Sequence, residues 1–403
     1  MTREKMVLNM FFVYNLFFVL EAPLRYFLQS VNVSFFIYIR DFILVASVVM
    51  MIEAWVQTLR INYRIFIAVL IIISGALWGG YLNGIFQTLF GIKVILPFFF
   101  GVFISKYYCT YKTYFYNMFS IFFMIICTGI LLEYFVPDLP WNNLNESVMG
   151  IEVASSMTDE MYGMRRILGF GRSIFYNSML LYLSYIFVFL KYEHCIKKLI
   201  FLTIIGCFCV LLTTAKGAIG SFFIALILLV LYKFKKTKYV GKLLSILLTI
   251  LFSIGMIMFP VYAIFSTSGF DINDEISLIL FSSFNVRLLW TWPTAYQIIN
   301  EYGGNELLGL GIGGMGASSW YFSPERLYSP LDNGFVWLFG YFGLISLIII
   351  GYYIVKVIRM NGQPAYEIFF PALMFNGMFI CVFEFPLPQI LLGMIIMQPR
   401  TIK

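Results

Sequence analysis

The chain has 403 residues, of which 61% are apolar and 12% charged, and it carries a formal net charge of +7. Its mean hydropathy is +0.89. A soluble domain carries roughly a quarter charged residues to solvate its surface, so this composition excludes a water-soluble globular protein and predicts a polytopic membrane protein.

A bilayer core of roughly 30 Å takes about 20 apolar residues per helix, so spans are the unit to count. Twelve segments qualify in chain order: 7–28, 33–53, 65–80, 85–104, 114–134, 173–190, 199–213, 217–232, 243–265, 334–354, 364–383 and 388–398. The fold class is therefore an all-α polytopic membrane protein of about twelve transmembrane helices. Runs such as SFFIALILLVLY at 221–232 are apolar all round, whereas a membrane barrel would alternate apolar and polar positions. The last segment is short, and with a turn at Glu384–Pro388 it reads equally as half of a re-entrant hairpin. No repeat of solenoid period and no polar linker interrupts the chain, which reads as one transmembrane domain, 1–403. No small-residue cleavage site follows the first apolar run, which reads as a retained helix.

Basic residues set the expected orientation. With the N-terminus in the cytoplasm, every short cytoplasmic segment carries Lys or Arg, from Arg3 and Lys5, through Arg60 and Arg64, to Lys233, Lys235, Lys236, Lys238 and Lys242, and finally Arg400 and Lys403. That bias is the positive-inside rule. The predicted topology is N-in and C-in, with two long external loops at 135–172 and 266–333, each expected to carry short helices.

The rule leaves Arg25, Arg40, Lys93, Arg165, Arg166, Arg172, Lys216, Arg287 and Arg326 in outer loops or within spans. A cation at mid-bilayer costs about 2.5–3.5 kcal/mol on the insertion scale, so Lys93 in GIKVILPFFF and Arg40 in FIYIRDFIL need a reason. Arg40 and its neighbour Asp41 have a structural alternative as a buried polar contact. Otherwise a set of outward-side cations calls for an anion, either a transported solute or a lipid phosphate, which Arg grips with a planar fork and Lys as a point charge.

The outer segments narrow that choice. LLTTAKGAIGSF places Lys216 in a turn of small and hydroxyl residues, and MRRILGFGRSIFYN places Arg165, Arg166 and Arg172 just above the sixth span. FNVRLLWTWPTAYQII carries Arg287 with Trp290 and Trp292, LLGLGIGGMGASSW carries Gly309, Gly311 and Gly313, and PLDNGFVWLFGYFGLIS carries Asp332 and Asn333 into a span. In order and spacing over roughly 160–350, these pieces resemble the bacterial O-antigen polymerase and O-antigen ligase superfamily. Lys216 stands where that family usually has a turn Arg, and Asp332-Asn333 stands where its ligases tend to have His-Asn. The N-terminal third matches only as apolar helices.

The resemblance implies a GT-C-like glycosyltransferase in a bacterial cytoplasmic (inner) membrane, with its site facing the periplasm or cell exterior. Its donor and acceptor would be undecaprenyl-pyrophosphate-linked oligosaccharides, a flippase and a chain-length regulator would be partners, and nucleic acid would not. The implied catalytic residues are Arg287, Lys216 and Asp332. Pyrophosphate or sugar contacts would come from Arg166, Arg172, Arg165, Lys93, Arg40, Trp290 and Gly311. The absent outer-loop His favours polymerase over ligase, and the absence of a visible inverted repeat disfavours an anion or amino-acid transporter.

Two motifs keep simpler readings. The glycines at 309–316 serve either as a tight turn allowing close backbone approach or as an amide cradle for an oxyanion; a dinucleotide site is excluded because no strand precedes them. Asp332 is either a functional carboxylate or the N-cap of the following helix. The single His194 lies in a cytoplasmic Lys-rich loop. No ligand cluster for zinc is visible, and DINDE at 271–275 reads as solvated loop, so no cofactor or metal is expected. The six cysteines avoid the long outer loops: Cys109 and Cys195 fall in cytoplasmic loops, and Cys127, Cys207, Cys209 and Cys381 fall within spans and read as small buried hydrophobes.

Overall fold

The computed structural model describes all residues except 1–2, 59–61, 143–144, 149–150, 155–159, 162–163, 235–236, 267–268, 271–274, 324–330, 361 and 398–403. Arg60, Lys235, Lys236, Arg326, Arg400, Lys403, Asp271 and Asp274 therefore lie outside the described residues. The described regular elements are helices apart from two short hairpins in the first long loop, which pair Asn145–Val148 with Ile151–Ala154 and Glu160–Met161 with Met164–Arg165. Short helices were expected in that loop. The β-branched Val148, Ile151 and Val153 instead suit strands.

Each of the twelve apolar segments contains helix. Seven helices, among the described residues, are long and apolar enough to cross a membrane, or up to eight if one bent pair counts as a single span. The bent pair is α1 (Arg3–Val19) and α2 (Glu21–Ser30), which meet at 83°. Pro23 explains the break, since it offers no N–H to the Val19 carbonyl four residues back and its ring crowds that carbonyl. The segment 334–354 is also divided, into α14 (Gly334–Phe342) and α15 (Ile345–Ile358), at Gly343 with φ +55°.

The chain folds into two compact units: residues 1–52, 100–245 and 361–372, and residues 53–99, 246–360 and 373–403. The boundaries at 52, 99, 245 and 372 fall inside helices. These are α3 (Ile39–Thr58), α5 (Ile85–Tyr108), α10 (Lys238–Phe265) and α16 (Pro364–Gly377).

The first unit is built around α7 (Ile174–Tyr192), whose residues from Tyr176 to Phe189 are all buried. A helix apolar on every face belongs in an interior. Packed on it are α6 (Lys112–Phe135), α8 (Ile196–Leu212) and α9 (Lys216–Lys233). Lipid gives little hydrophobic drive for helix association, so close packing and interhelical hydrogen bonds must hold the unit. Phe119 stacks on Phe187 at 4.1 Å and Tyr185 lies against Phe222 at 4.6 Å. The Tyr185 and Thr203 hydroxyls are 2.7 Å apart. At the end of the unit predicted to be cytoplasmic, Tyr111 donates to Glu4, Arg3 to the Met50 carbonyl, and Tyr232 to Glu367.

The second unit contains α4 (Tyr63–Asn83), α11 (Glu275–Val286), α12 (Trp292–Glu301), α13 (Ala317–Phe322) and α17 (Pro386–Met397), with α14 and α15. Its distinctive element is the irregular segment 303–316, which enters the helix layer. Ile312 N–H donates to the Gly75 carbonyl, and Leu310 N–H to that of Gly340. Asn83 and Gln87 side chains donate to the Leu310 and Gly313 carbonyls, and the Trp78 indole donates to that of Gly309. Irregular backbone inside a membrane protein survives where protein partners satisfy it, and here α4, α5 and α14 do so. The approach depends on glycine. A β-carbon on Gly311, at φ +76°, would stand 2.4 Å from the Gly79 nitrogen. Gly75 and Gly79, four apart on α4, form the small-residue face that receives the segment.

Candidate functional site

Two polar clusters stand out, one in each unit. In the first unit, the helix break at Leu20 presents Glu21, whose carboxylate accepts Arg25 Nε and Nη2 at 3.0 and 2.8 Å and Arg40 Nη1 at 2.9 Å. Arg172 also acts on Glu21 electrostatically, and the Arg40 guanidinium lies 4.7 Å from the centre of the Phe18 ring. The partner that Arg40 required is thus Glu21, on another helix.

Arg172 closes a loop that a second buried carboxylate organises. Glu133, near the end of α6, accepts the backbone N–H groups of Leu168 and Gly169 and the Arg165 guanidinium. Asn177 of α7 donates to the Leu168 carbonyl at 2.7 Å, and Ala22 N–H donates to the Phe170 carbonyl at 3.0 Å. Gly169, at φ +71°, allows this turn. Arg166 is buried with its guanidinium 5.7 Å from the Phe175 ring centre. The segment 165–172 is therefore a fixed loop held by α2, α6 and α7. Lys216 is the first residue of α9 and is exposed, after a turn in which Thr214 adopts φ +51°.

In the second unit, Arg287 begins a π-helical turn, Arg287–Thr291, between α11 and α12. Pro293 cannot donate to the carbonyl four residues back, and a widened turn accommodates that loss. Arg287 Nε lies 3.2 Å from Asp332 Oδ2, and Nη1 donates to the Ser283 hydroxyl and carbonyl at 2.6 and 3.1 Å. Nη2 has no hydrogen-bond partner among the described residues, and the side chain is 12% exposed against 28% for Asp332. Burial pushes the Asp332 carboxyl above the ordinary range, with Arg287 opposing that rise.

Asn333, not Asp332, caps the following helix. Its side-chain oxygen accepts Phe335 and Val336 N–H, while its amide donates to the Met256 and Met378 carbonyls. The capping duty falls on the neighbour, and Asp332 is left to face Arg287.

The remaining expected site residues divide as follows. Trp290 is 65% exposed on the π turn. The Lys93 ammonium lies 5.3 Å from the Phe90 ring centre, and Phe90 packs against Tyr321. Gly311 lies against Gly79 of α4, and the adjoining carbonyls are occupied by Asn83, Gln87 and Trp78, so the turn reading describes its surroundings. Arg40, Arg165, Arg166, Arg172 and Lys216 belong to the first unit, and Arg287, Asp332, Trp290, Lys93 and Gly311 to the second.

Reading the sequence for cations missed the carboxylates Glu21, Glu133 and Glu384. Each interrupts an apolar run or ends one, and an ionisable residue in such a position is itself the signal. Among the described residues, no group of three His, Cys, Asp or Glu side chains is placed to hold a metal ion. Comparison with protein-family models, curated proteins and solved structures gives no match to this chain. The class that fold and composition define is a helical membrane protein.

Proposed function

We propose that this chain is a polysaccharide polymerase of the O-antigen or capsule type, joining lipid-linked repeat units at the outer face of a bacterial cytoplasmic membrane. The observation that carries the reading is the Arg287 cluster. Two residues from separate motifs, Arg287 and Asp332, meet as an ion pair, and the guanidinium keeps its Nη2 edge uncommitted among the described residues. Asp332 and Ser283 fix the guanidinium plane while Nη2 offers its N–H groups to phosphate oxygens.

The reaction has modest demands. Pyrophosphate is a good leaving group, and as the anomeric C–O bond breaks, charge gathers on its oxygens. A preorganised cation there stabilises the transition state by a few kcal/mol.

Twelve crossings with both termini inside are part of this proposal. Within each unit, hydrogen bonds join segment ends that alternation puts on one side. Glu4 with Tyr111, and Tyr232 with Glu367, lie on the inner side in the first unit. In the second, Arg64 bonds the Ile396 carbonyl on the inner side, and Asn83 bonds Leu310 on the outer.

The test is genetic. Cells lacking the chain are complemented with wild type, Arg287→Lys or Arg287→Ala at matched membrane abundance, and polysaccharide length is read on a gel. Wild type should restore long polymer and both variants should leave single repeat units, because an ammonium cannot reproduce the guanidinium fork. Long polymer from Arg287→Ala sinks the reading. A wild type that transfers only preformed polymer to a terminal acceptor would make it a ligase.

A further inference from the structure

We propose that Glu384 is the general base of this site and that Glu384 and Trp337 together bind a vicinal pair of sugar hydroxyls on the acceptor. The proposal rests on the glycosyl-transfer reading and assigns a residue that the motifs did not.

Glu384 ends a short 3-10 turn, Val382–Glu384, between α16 and α17. Its Oε1 accepts the Ala317 N–H at 2.6 Å, and among the described residues that is its one hydrogen bond. Oε2 is left to take a proton. Beside it, Trp337 is buried, and its indole Nε1–H has no hydrogen-bond partner among the described residues. A buried donor without a partner is costly, on the order of 1–3 kcal/mol, and calls for an explanation.

The two groups converge on Gly316. A β-carbon there would lie 2.5 Å from Glu384 Oε1 and 3.2 Å from Trp337 Nε1. Any side chain at 316 would fill the cradle, and φ +73° keeps the position for glycine. The Trp337 ring is fixed by stacking on Tyr341 at 4.1 Å, and the Tyr341 hydroxyl lies 3.2 Å from that of Ser318. An acceptor-only carboxylate beside a donor-only indole matches a diol, in which one hydroxyl gives its proton and the neighbouring oxygen accepts a hydrogen bond.

The same comparison separates the two carboxylates of the second unit. Asp332 is committed to Arg287, which favours its anion and weakens it as a base. Glu384 has no cation within bonding distance among the described residues; the groups that act with it are Tyr341 of α14 and Cys381 of its own turn, and Cys381 also feels Asp332. Burial pushes the Glu384 carboxyl up, with the Ala317 amide opposing. Unequal environments of this kind assign acid–base roles to paired carboxylates.

In the step itself, the acceptor hydroxyl oxygen bonds to the anomeric carbon of the donor. The anomeric C–O bond to pyrophosphate breaks, and its electron pair stays on the pyrophosphate oxygen. The hydroxyl proton passes to Glu384 Oε2 and from there to water.

The experiment uses the full-length protein in liposomes and lipid-linked oligosaccharides extracted from host cells lacking this chain. Rates are measured against pH for wild type, Glu384→Gln, Glu384→Asp and Trp337→Phe, with melting temperature alongside. Glutamine keeps the oxygen that accepts from Ala317. Glu384→Gln should lose about 100-fold or more in kcat, with KM little changed and the acid limb of the profile abolished. Trp337→Phe should raise KM about ten-fold, the effect of one lost hydrogen bond.

If wild type makes polymer and Glu384→Gln keeps its rate and acid limb, the base assignment is overturned and the polymerase reading stands. If wild type makes none, both fall. Should Glu384→Gln not fold, Glu384→Asp decides: an acid limb displaced in pH supports the assignment, and an unmoved limb overturns it.

Discussion

The Glu133 carboxylate, on a helix of the first unit, accepts the consecutive backbone N–H groups of Leu168 and Gly169, and it also binds Arg165 at 3.3 Å. One fully buried acid thereby fixes the backbone of the loop that carries Arg165, Arg166 and Arg172. Leaving a buried donor without its acceptor costs about 1–3 kcal/mol. Glu133→Ala is expected to release this loop, and Glu133→Gln, which keeps an acceptor oxygen, to release it less. Hydrogen exchange at the Leu168 and Gly169 amides measures the difference. Unchanged protection in Glu133→Ala would remove Glu133 from this role.

The Arg287–Asp332 pair predicts a ranked set of losses. Arg287→Ala and Arg287→Lys should each lower kcat/KM by about 100-fold or more, since one preorganised contact to a developing oxyanion has that value. Asp332→Asn keeps an oxygen for Arg287 Nε and should fall less, about ten-fold. A double variant, Arg287→Ala with Asp332→Asn, should lose no more than Arg287→Ala alone, because the two act as a unit. Additive losses would mean that Asp332 acts independently.

Asp332 also gives stability a pH dependence. Its carboxyl is raised by burial, so the folded protein binds that proton more tightly than the unfolded chain. The contribution to stability is fully present below the ordinary Asp value of about 3.9 and is lost as pH rises through the higher folded value. Melting temperature measured upward from that pH should decline in wild type and decline less in Asp332→Asn. Substituting Arg287 by Gln removes the opposing charge and should extend the decline to higher pH.

The glycine segment yields a packing prediction. Gly311→Ala meets the Gly79 nitrogen at 2.4 Å from a left-handed backbone and should fail to accumulate in the membrane. Gly80→Ala, one residue along α4 with nothing within 4 Å of the added carbon, should be neutral or stabilising by up to about 1 kcal/mol. Equal abundance of the two variants would contradict the close packing of the 303–316 segment on α4.

Much of the helical layout was legible because apolar length is itself the signal. The segments 65–80, 114–134 and 173–190 became α4, α6 and α7 with ends moved by a few residues. Hydropathy could not reveal the bend at Gly343, where the apolar run continues, whereas at Leu20 the run is interrupted by Glu21 and Arg25. Pro23 and Gly343 were the available marks. The division into two units was hidden because four of its five boundaries fall inside helices. At the site, the motifs located Arg287 and Asp332 but not their meeting, a tertiary relationship across 45 residues. The carboxylates Glu21, Glu133 and Glu384 stand in no motif, and the partners of Glu133 and Glu384 lie 35 and 67 residues away along the chain.

The polymerase account is tested most directly by reconstitution. Purified wild-type protein in liposomes is given lipid-linked repeat units extracted from cells lacking it, with excess EDTA, and the products are resolved by length. The account predicts a ladder of increasing repeat number that EDTA leaves intact and that Arg287→Ala abolishes. Products confined to single repeat units, or a ladder that returns only on addition of a divalent ion, would contradict it.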